Sequence, residues 1–142
     1  MAQALDKGIG DIEALSNFGE QGTEIANNDI YQIIDLELKD MLGEVKQTIS
    51  RTTLYPNKST RGHIHEHANE SYHFIDGTGL LLLQGEGLNK LYRIQPETWK
   101  FIPKKIFHMV INLSQNEDLV FETVYPGKSD RPAINKEDKK KK

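Results

Sequence analysis

The chain contains no cysteine, and this absence excludes several kinds of chemistry at once. Without thiols the protein has no disulfide bonds, no thiol nucleophile and no thiolate ligand for a metal ion. Any metal ion must therefore be held by nitrogen and oxygen atoms.

Long apolar runs are also absent. Hydrophobic residues make up 37% of the 142 residues and charged residues 27%, which is the balance of a single globular domain. No run approaches the roughly 20 apolar residues that a membrane-spanning helix needs, so we expect no membrane partner. Residues 1–10 have neither the basic nor the apolar region of an export signal, and we therefore expect a cytoplasmic protein.

The net charge is low, −3, but it is unevenly distributed. Residues 136–142 contain five lysines and two acidic residues, so this end carries +3 and the rest of the chain −6. A short lysine-rich end without aromatic residues is typical of a solubilising terminus and not of a nucleic-acid site. We expect no nucleic-acid partner and interpret residues 129–142 as a flexible tail.

Helical periodicity is scarce. One short helix is predicted in Asp11–Phe18, where Ile12 and Leu15 share a face, and residues 1–29 are interpreted as a partly helical arm. From residue 30 onward, short runs of β-branched and aromatic residues alternate with turn residues, which is typical of strands. The predicted strands are Ile30–Leu38, Val45–Tyr55, Gly62–His67, Glu70–Ile75, Leu80–Gln84, Leu88–Ile94, Thr98–Ile102, Phe107–Asn112 and Leu119–Tyr125.

The connections between these runs are too short for the crossover helices that parallel strands require. The pairing should therefore be mostly antiparallel. Residues 30–128 are predicted to form one all-β domain, a sandwich or a barrel.

Histidines are few, but four of the five lie within eleven residues, at His63, His65, His67 and His73. Alternate side chains of a strand point to the same side, so His63 and His65 can present two imidazoles to one ion. His67 lies on the same face, and the pair His65 and His67 is an open alternative.

A carboxylate and a third imidazole can complete such a site. If the chain turns through residues 66–69 and pairs back, Glu70 comes opposite the histidine pair, and a barrel can bring His108 beside them. Three imidazoles and one carboxylate suit Fe, Zn, Ni, Mn or Co, with one or two positions left for water or substrate. The sequence thus predicts one divalent metal ion as the cofactor.

The spacing of these residues resembles the two motifs of the cupin superfamily. His63-Ile64-His65 is followed after four residues by Glu70 and after six more by Gly77, as in the first motif. The second motif is matched by Pro103, His108 and Asn112. The resemblance implies a cupin jelly-roll β-barrel whose metal ligands are His63, His65, Glu70 and His108.

Three glycines of these motifs are replaced, by Asn57, Glu97 and Lys105. Asn tolerates a left-handed backbone, whereas Glu and Lys adopt it at a cost. The departures therefore bear on the turns and leave the four ligands unchanged.

The flanking residues are similar to the archaeal cupin-type phosphoglucose isomerases from residue 30 to residue 126. The similarity is carried by Thr53-Leu54-Tyr55-Pro56, Thr60-Arg61-Gly62, Glu70-Ser71-Tyr72, Gly77-Thr78-Gly79 and Val124-Tyr125-Pro126. It implies isomerisation of a sugar or sugar phosphate between aldose and ketose through a cis-enediol, with Glu70 and Tyr72 as catalytic residues. The implied substrate-binding residues are Thr60, Arg61, Gly62 and Tyr55. Barrels of this kind commonly pair, so we also expect a homodimer.

Two other functions use the same residues. An Fe-dependent dioxygenase would employ the same three histidines and one glutamate, and a non-catalytic cupin would bind a sugar or another small anion. The sequence leaves these alternatives open.

Overall fold

The computed structural model describes residues 14–130, in which β-strands supply most of the regular structure. The helix α1 comprises Phe18–Gln21. The strands are β1 (Thr23–Asn27), β2 (Tyr31–Lys39), β3 (Val45–Leu54), β4 (Glu70–Asp76), β5 (Gly79–Gly85), β6 (Leu88–Ile94), β7 (Thr98–Ile102), β8 (Phe107–Ile111) and β9 (Leu119–Pro126).

The short helix lies further along the chain than predicted. Residues 14–17 are not helical. α1 begins at Phe18 because Asn17 caps it: the Oδ1 atom of Asn17 accepts a hydrogen bond of 2.8 Å from the backbone N–H of Glu20. The part of the prediction that covers residues 11–13 falls outside the described residues. Between residues 14 and 130, no helix is long and apolar enough to cross a membrane.

The strands form two sheets, in which every pair is antiparallel, as predicted. The larger sheet has the order β1-β2-β3-β9-β4-β7, and the smaller sheet has the order β6-β5-β8. Alternate side chains of each strand point between the sheets, where they form one apolar core. Its most enclosed members include Leu54, Leu81, Leu83, Ile94 and Leu119. This jelly-roll arrangement confirms the predicted all-β cupin fold.

One predicted strand is absent, and one observed strand was not predicted. Gly62–His67 is not a strand: it makes a single bridge, in which His63 and His108 exchange two backbone hydrogen bonds of 3.1 Å. Gly62 has a φ of 77°, which interrupts extended backbone just before the bridge. The other difference is β1, which was not predicted and which pairs with β2 at the edge of the larger sheet.

The turns that lack a motif glycine keep a left-handed backbone. φ is 61° at Asn57, 64° at Glu97 and 70° at Lys105. Each of these residues therefore adopts a conformation that costs an L-residue about 1–2 kcal/mol, with Asn at the lower end. The turn geometry is thus retained at the expense of local strain.

Candidate metal centre

Three separate parts of the chain converge at one end of the barrel. Glu70 is the first residue of β4, and His108 is the second residue of β8. His63 and His65 lie on the irregular segment between β3 and β4, held by the bridge to His108 and by a hydrogen bond of 2.7 Å from the Lys105 N–H to the His65 carbonyl. This convergence unites the four residues that the cupin resemblance implied as ligands.

The potential ligand atoms are close together. One nitrogen from each of the three histidines and one oxygen of Glu70 all lie within 4.8 Å of one another. Nε2 of His65 is 3.0 Å from Nε2 of His63 and 3.1 Å from Oε1 of Glu70, and Nε2 of His108 is 3.5 Å from the same oxygen. Four donors at these separations can surround a single ion.

The cluster is enclosed by protein. His65, Glu70 and His108 are only 3%, 4% and 2% exposed, and His63 is half-buried. Glu70 Oε1 and His108 Nε2 are buried and make no hydrogen bond of good geometry among the described residues, although both lie close to a charged or polar neighbour. Leaving a polar atom buried and unpaired costs about 1–3 kcal/mol, more for a charged group. A cation between these atoms would satisfy both, so the residues fit a divalent ion.

His108 is oriented for ligation by its second ring nitrogen. Its Nδ1 atom is 3.1 Å from the backbone carbonyl oxygen of Ile106. A carbonyl oxygen can only accept, so this contact places the proton on Nδ1. Nε2 is therefore the nitrogen that faces Glu70 and the centre of the cluster, where an ion could bind it.

The charges of the cluster are coupled. Burial acts to raise the pKa of Glu70, but the imidazoles of His108 and His65 have the larger, opposite effect and lower this pKa to about 2. Burial also acts to lower the pKa of His65, but Glu70 and Asp130 outweigh it and raise that pKa. Glu70 is therefore an ionised carboxylate at neutral pH, the form that binds cations.

Two residues at the site were not identified from the sequence. Asp130 Oδ1 lies 2.5 Å from Nδ1 of His65, on the side of the ring that faces away from Glu70. Tyr125 is 4% exposed, and its hydroxyl hydrogen-bonds to Asp130. Burial and this carboxylate raise the pKa of Tyr125 to about 12. Asp130 follows the last strand and matches no motif, so the sequence carries no local signal for it.

The other predicted site residues lie at different distances from the cluster. Tyr72 is next to it: its buried ring is 5.5 Å from the His108 ring between centroids, and it shares a face of β4 with Glu70. Thr60 and Gly62 lie on the segment beside β8, where the Thr60 hydroxyl accepts a hydrogen bond of 3.0 Å from the Val110 N–H. A Cβ atom at Gly62 would lie 2.4 Å from the Phe107 ring, so only glycine fits there.

Tyr55 is not brought into the cluster, whereas Arg61 lies on the same segment as His63, two residues before it. Arg61 is exposed beside Gly62. Tyr55 follows β3 at the end where Leu54 pairs with Leu119, whereas the cluster lies near Tyr125, which pairs at the other end of β3. Their roles in substrate binding stay predictions.

The remaining two histidines are not part of the cluster. His67 is exposed and is not among the converging residues. His73 stacks on Trp99, with ring centroids 4.2 Å apart, and Trp99 is 62% exposed. Both are therefore suitable controls for experiments on the cluster.

Comparison with known protein families identifies the family of the chain. The model of the family described as glucose-6-phosphate isomerase (GPI) matches residues 8–133, which is most of the chain. The chain belongs to this family. A search of curated proteins found no significant match.

Solved structures share the fold of this glucose-6-phosphate isomerase family member at low sequence identity. Vicilin from Solanum melongena has a TM-score of 0.67 and 13% identity, and the alignment covers 80% of this chain and 31% of vicilin. An oxalate decarboxylase variant from Bacillus subtilis has a TM-score of 0.68 and 17% identity, with 80% and 30% covered. A protein from Photorhabdus luminescens has a TM-score of 0.60 and 17% identity, with 83% and 89% covered. The chain thus spans about a third of the vicilin chains, and the likeness concerns the fold alone.

Proposed function

We propose that this protein is a metal-dependent isomerase that interconverts the aldose and ketose forms of a sugar or sugar phosphate through a cis-enediol. The observation that carries the proposal is the cluster of His63, His65, Glu70 and His108, in which two buried polar atoms make no hydrogen bond of good geometry. Membership of the glucose-6-phosphate isomerase family supplies the reaction class.

The proposed reaction moves hydrogen between two neighbouring carbons. A base removes the proton from C2 of the aldose, a proton moves from O2 to O1 of the enediol, and the base returns its proton to C1 to give the ketose. A divalent ion at the cluster would supply positive charge that stabilises the negative charge on the sugar oxygens. Proton transfer and binding of the sugar have to be performed by side chains of the protein.

Glu70 is proposed as a ligand and as the group that carries the proton. The carboxylate is ionised at neutral pH, as a proton acceptor must be. Tyr72 lies two residues further along the same face of β4 and is proposed to donate its hydroxyl hydrogen to a sugar oxygen. Both side chains are buried, which shields these two groups from bulk water.

A phosphate group would require cationic donors near the cluster. Arg61 is the proposed donor, because it is exposed and precedes His63 by two residues. A guanidinium can bind phosphate through two parallel hydrogen bonds. Replacing Arg61 by Lys should therefore weaken binding of fructose 6-phosphate more than binding of fructose.

The first experiment measures metal content and activity together. The purified protein is stripped with a chelator, reloaded separately with Fe, Zn, Ni, Mn or Co, and assayed for conversion of fructose 6-phosphate to glucose 6-phosphate. We expect no turnover without metal and recovery with at least one ion. Turnover of the stripped protein at the original rate would overturn metal dependence, and oxygen uptake with Fe in place of isomerisation would favour a dioxygenase.

The second experiment tests the ligands. His63→Ala, His65→Ala and His108→Ala should each weaken metal retention by at least about tenfold, whereas His67→Ala and His73→Ala should not. If His67→Ala loses metal and His63→Ala retains it, the ligand pair is His65 and His67. A folded parent protein that retains none of the five ions contradicts the proposal. Retention of metal without turnover on any sugar phosphate would favour a binding protein.

A further inference from the structure

We propose that Asp130 is a positioning residue of the metal centre, which holds His65 with its proton on Nδ1 and its Nε2 lone pair directed at the ion. The inference deepens the proposed function and depends on it for the identity of the ion. Asp130 lies 60 residues after Glu70 in sequence and belongs to neither cupin motif.

The contact between Asp130 and His65 has the geometry that such a role requires. Asp130 Oδ1 is 2.5 Å from Nδ1 of His65, while Nε2 on the other side of the ring is 3.1 Å from Glu70 Oε1. A carboxylate only accepts hydrogen bonds, so Nδ1 of His65 carries a proton toward Asp130, and Nε2 is the nitrogen whose proton an ion beside Glu70 would replace. The His65 side chain is 3% exposed, so the imidazole side of this contact is shielded from solvent.

His65 and His108 each donate a hydrogen bond from Nδ1, but the two acceptors differ in strength. Nδ1 of His108 faces the neutral carbonyl of Ile106, at 3.1 Å. Nδ1 of His65 faces a charged carboxylate, which forms the stronger hydrogen bond and makes the opposite nitrogen a better electron donor. The orientation and metal affinity of His65 should therefore depend on Asp130 more than those of His108 depend on the Ile106 carbonyl.

The segment that carries Asp130 is tied to the barrel. The Thr48 hydroxyl on β3 donates a hydrogen bond of 2.8 Å to the Gly127 carbonyl and accepts one of 3.1 Å from the Ser129 N–H. The Gly127 N–H donates to the Lys46 carbonyl at 2.6 Å. Thr48 itself is 2% exposed, so residues 127–129 have a buried anchor.

Tyr125 provides a second constraint on the carboxylate. Its hydroxyl hydrogen-bonds to Asp130, and its ring lies 4.9 Å from the His65 ring between centroids. The aspartate is thus held between a donor on β9 and the imidazole that it orients. A group fixed from two sides can impose one ring orientation on His65.

The test uses three variants of the full chain. Asp130→Asn conserves shape, Asp130→Ala removes the acceptor, and Asp118→Asn is the control, since it removes the same charge from an exposed residue at the opposite end of β9. Retention of Zn and of Co is measured by competition with a chelator of known affinity. We expect losses of about 10- to 100-fold for Asp130→Ala, a smaller loss for Asp130→Asn and none for Asp118→Asn.

A second measurement is independent of metal. Proton–nitrogen NMR spectra of the imidazoles in metal-free protein, at a pH where His65 is neutral, should show the proton on Nδ1 in the parent and a mixed or Nε2 tautomer in Asp130→Ala. If the tautomer is unchanged and metal retention equals that of Asp118→Asn, the inference is overturned. If the parent binds no metal, the proposed function fails, and the tautomer alone decides the role of Asp130. Should Asp130→Ala fail to fold, Asp130→Asn supplies both readouts.

Discussion

Lys105→Gly is expected to stabilise the protein, although it removes a side chain and adds a glycine. Lys105 has a φ of 70°, its side chain is exposed, and its N–H donates a hydrogen bond of 2.7 Å to the His65 carbonyl. Glycine keeps that N–H and adopts the left-handed backbone without a Cβ clash. The neighbouring Lys104 is equally exposed but has a negative φ, so Lys104→Gly is a matched control with the same loss of charge.

The magnitude follows from two opposing effects. Relief of the left-handed strain should contribute about 1–2 kcal/mol at Lys105 and nothing at Lys104. The greater freedom of glycine in the unfolded chain costs about 0.4–1 kcal/mol at either position. Lys105→Gly should therefore be more stable than the parent by about 0.5–1 kcal/mol, and Lys104→Gly less stable by a similar amount.

The difference between the two variants is the sharper quantity, because the cost in the unfolded chain cancels. Urea unfolding of the metal-free proteins should separate them by about 1–2 kcal/mol at equal m-values. For a domain of this size that corresponds to roughly 3–8 °C in melting temperature. Equal midpoints for the two variants would refute the argument that Lys105 is strained.

Three further predictions concern the framework of the site. Leu54→Ala should lower the free energy of unfolding by about 2–5 kcal/mol and Leu91→Ala by less than about 0.5 kcal/mol, measured by urea titration, since these leucines are 0% and 57% exposed. Gly62→Ala should lower both stability and metal retention, because its Cβ would lie 2.9 Å from the His108 carbonyl oxygen; unchanged retention would contradict this. Asn112→Leu should cost at least about 2 kcal/mol in the same titration. Its side-chain nitrogen donates to three backbone carbonyls, so a neutral outcome would show that water replaces it.

Much of the fold was readable from the sequence because its signals are local. Alternating apolar residues and turn residues predicted the bounds of β6 and β7 correctly, and short connections were sufficient to predict antiparallel pairing. The four residues of the cluster were also predicted, since their spacing matches the cupin motifs. The expectation that His63 and His65 share one face of a strand was nevertheless wrong, because they lie on a segment with one bridge and not on a strand.

Only the tertiary structure decided which residues surround the cluster. Asp130 reaches His65 because residues 127–129 are anchored on Thr48, some eighty positions earlier in the chain. By contrast, Tyr55 lies at the far end of β3 although its neighbours resemble a substrate-binding motif. Side-chain periodicity reports which face of a strand is buried, but the partners of a side chain across the barrel depend on register and on loop paths. These are set by contacts between residues that are distant in sequence.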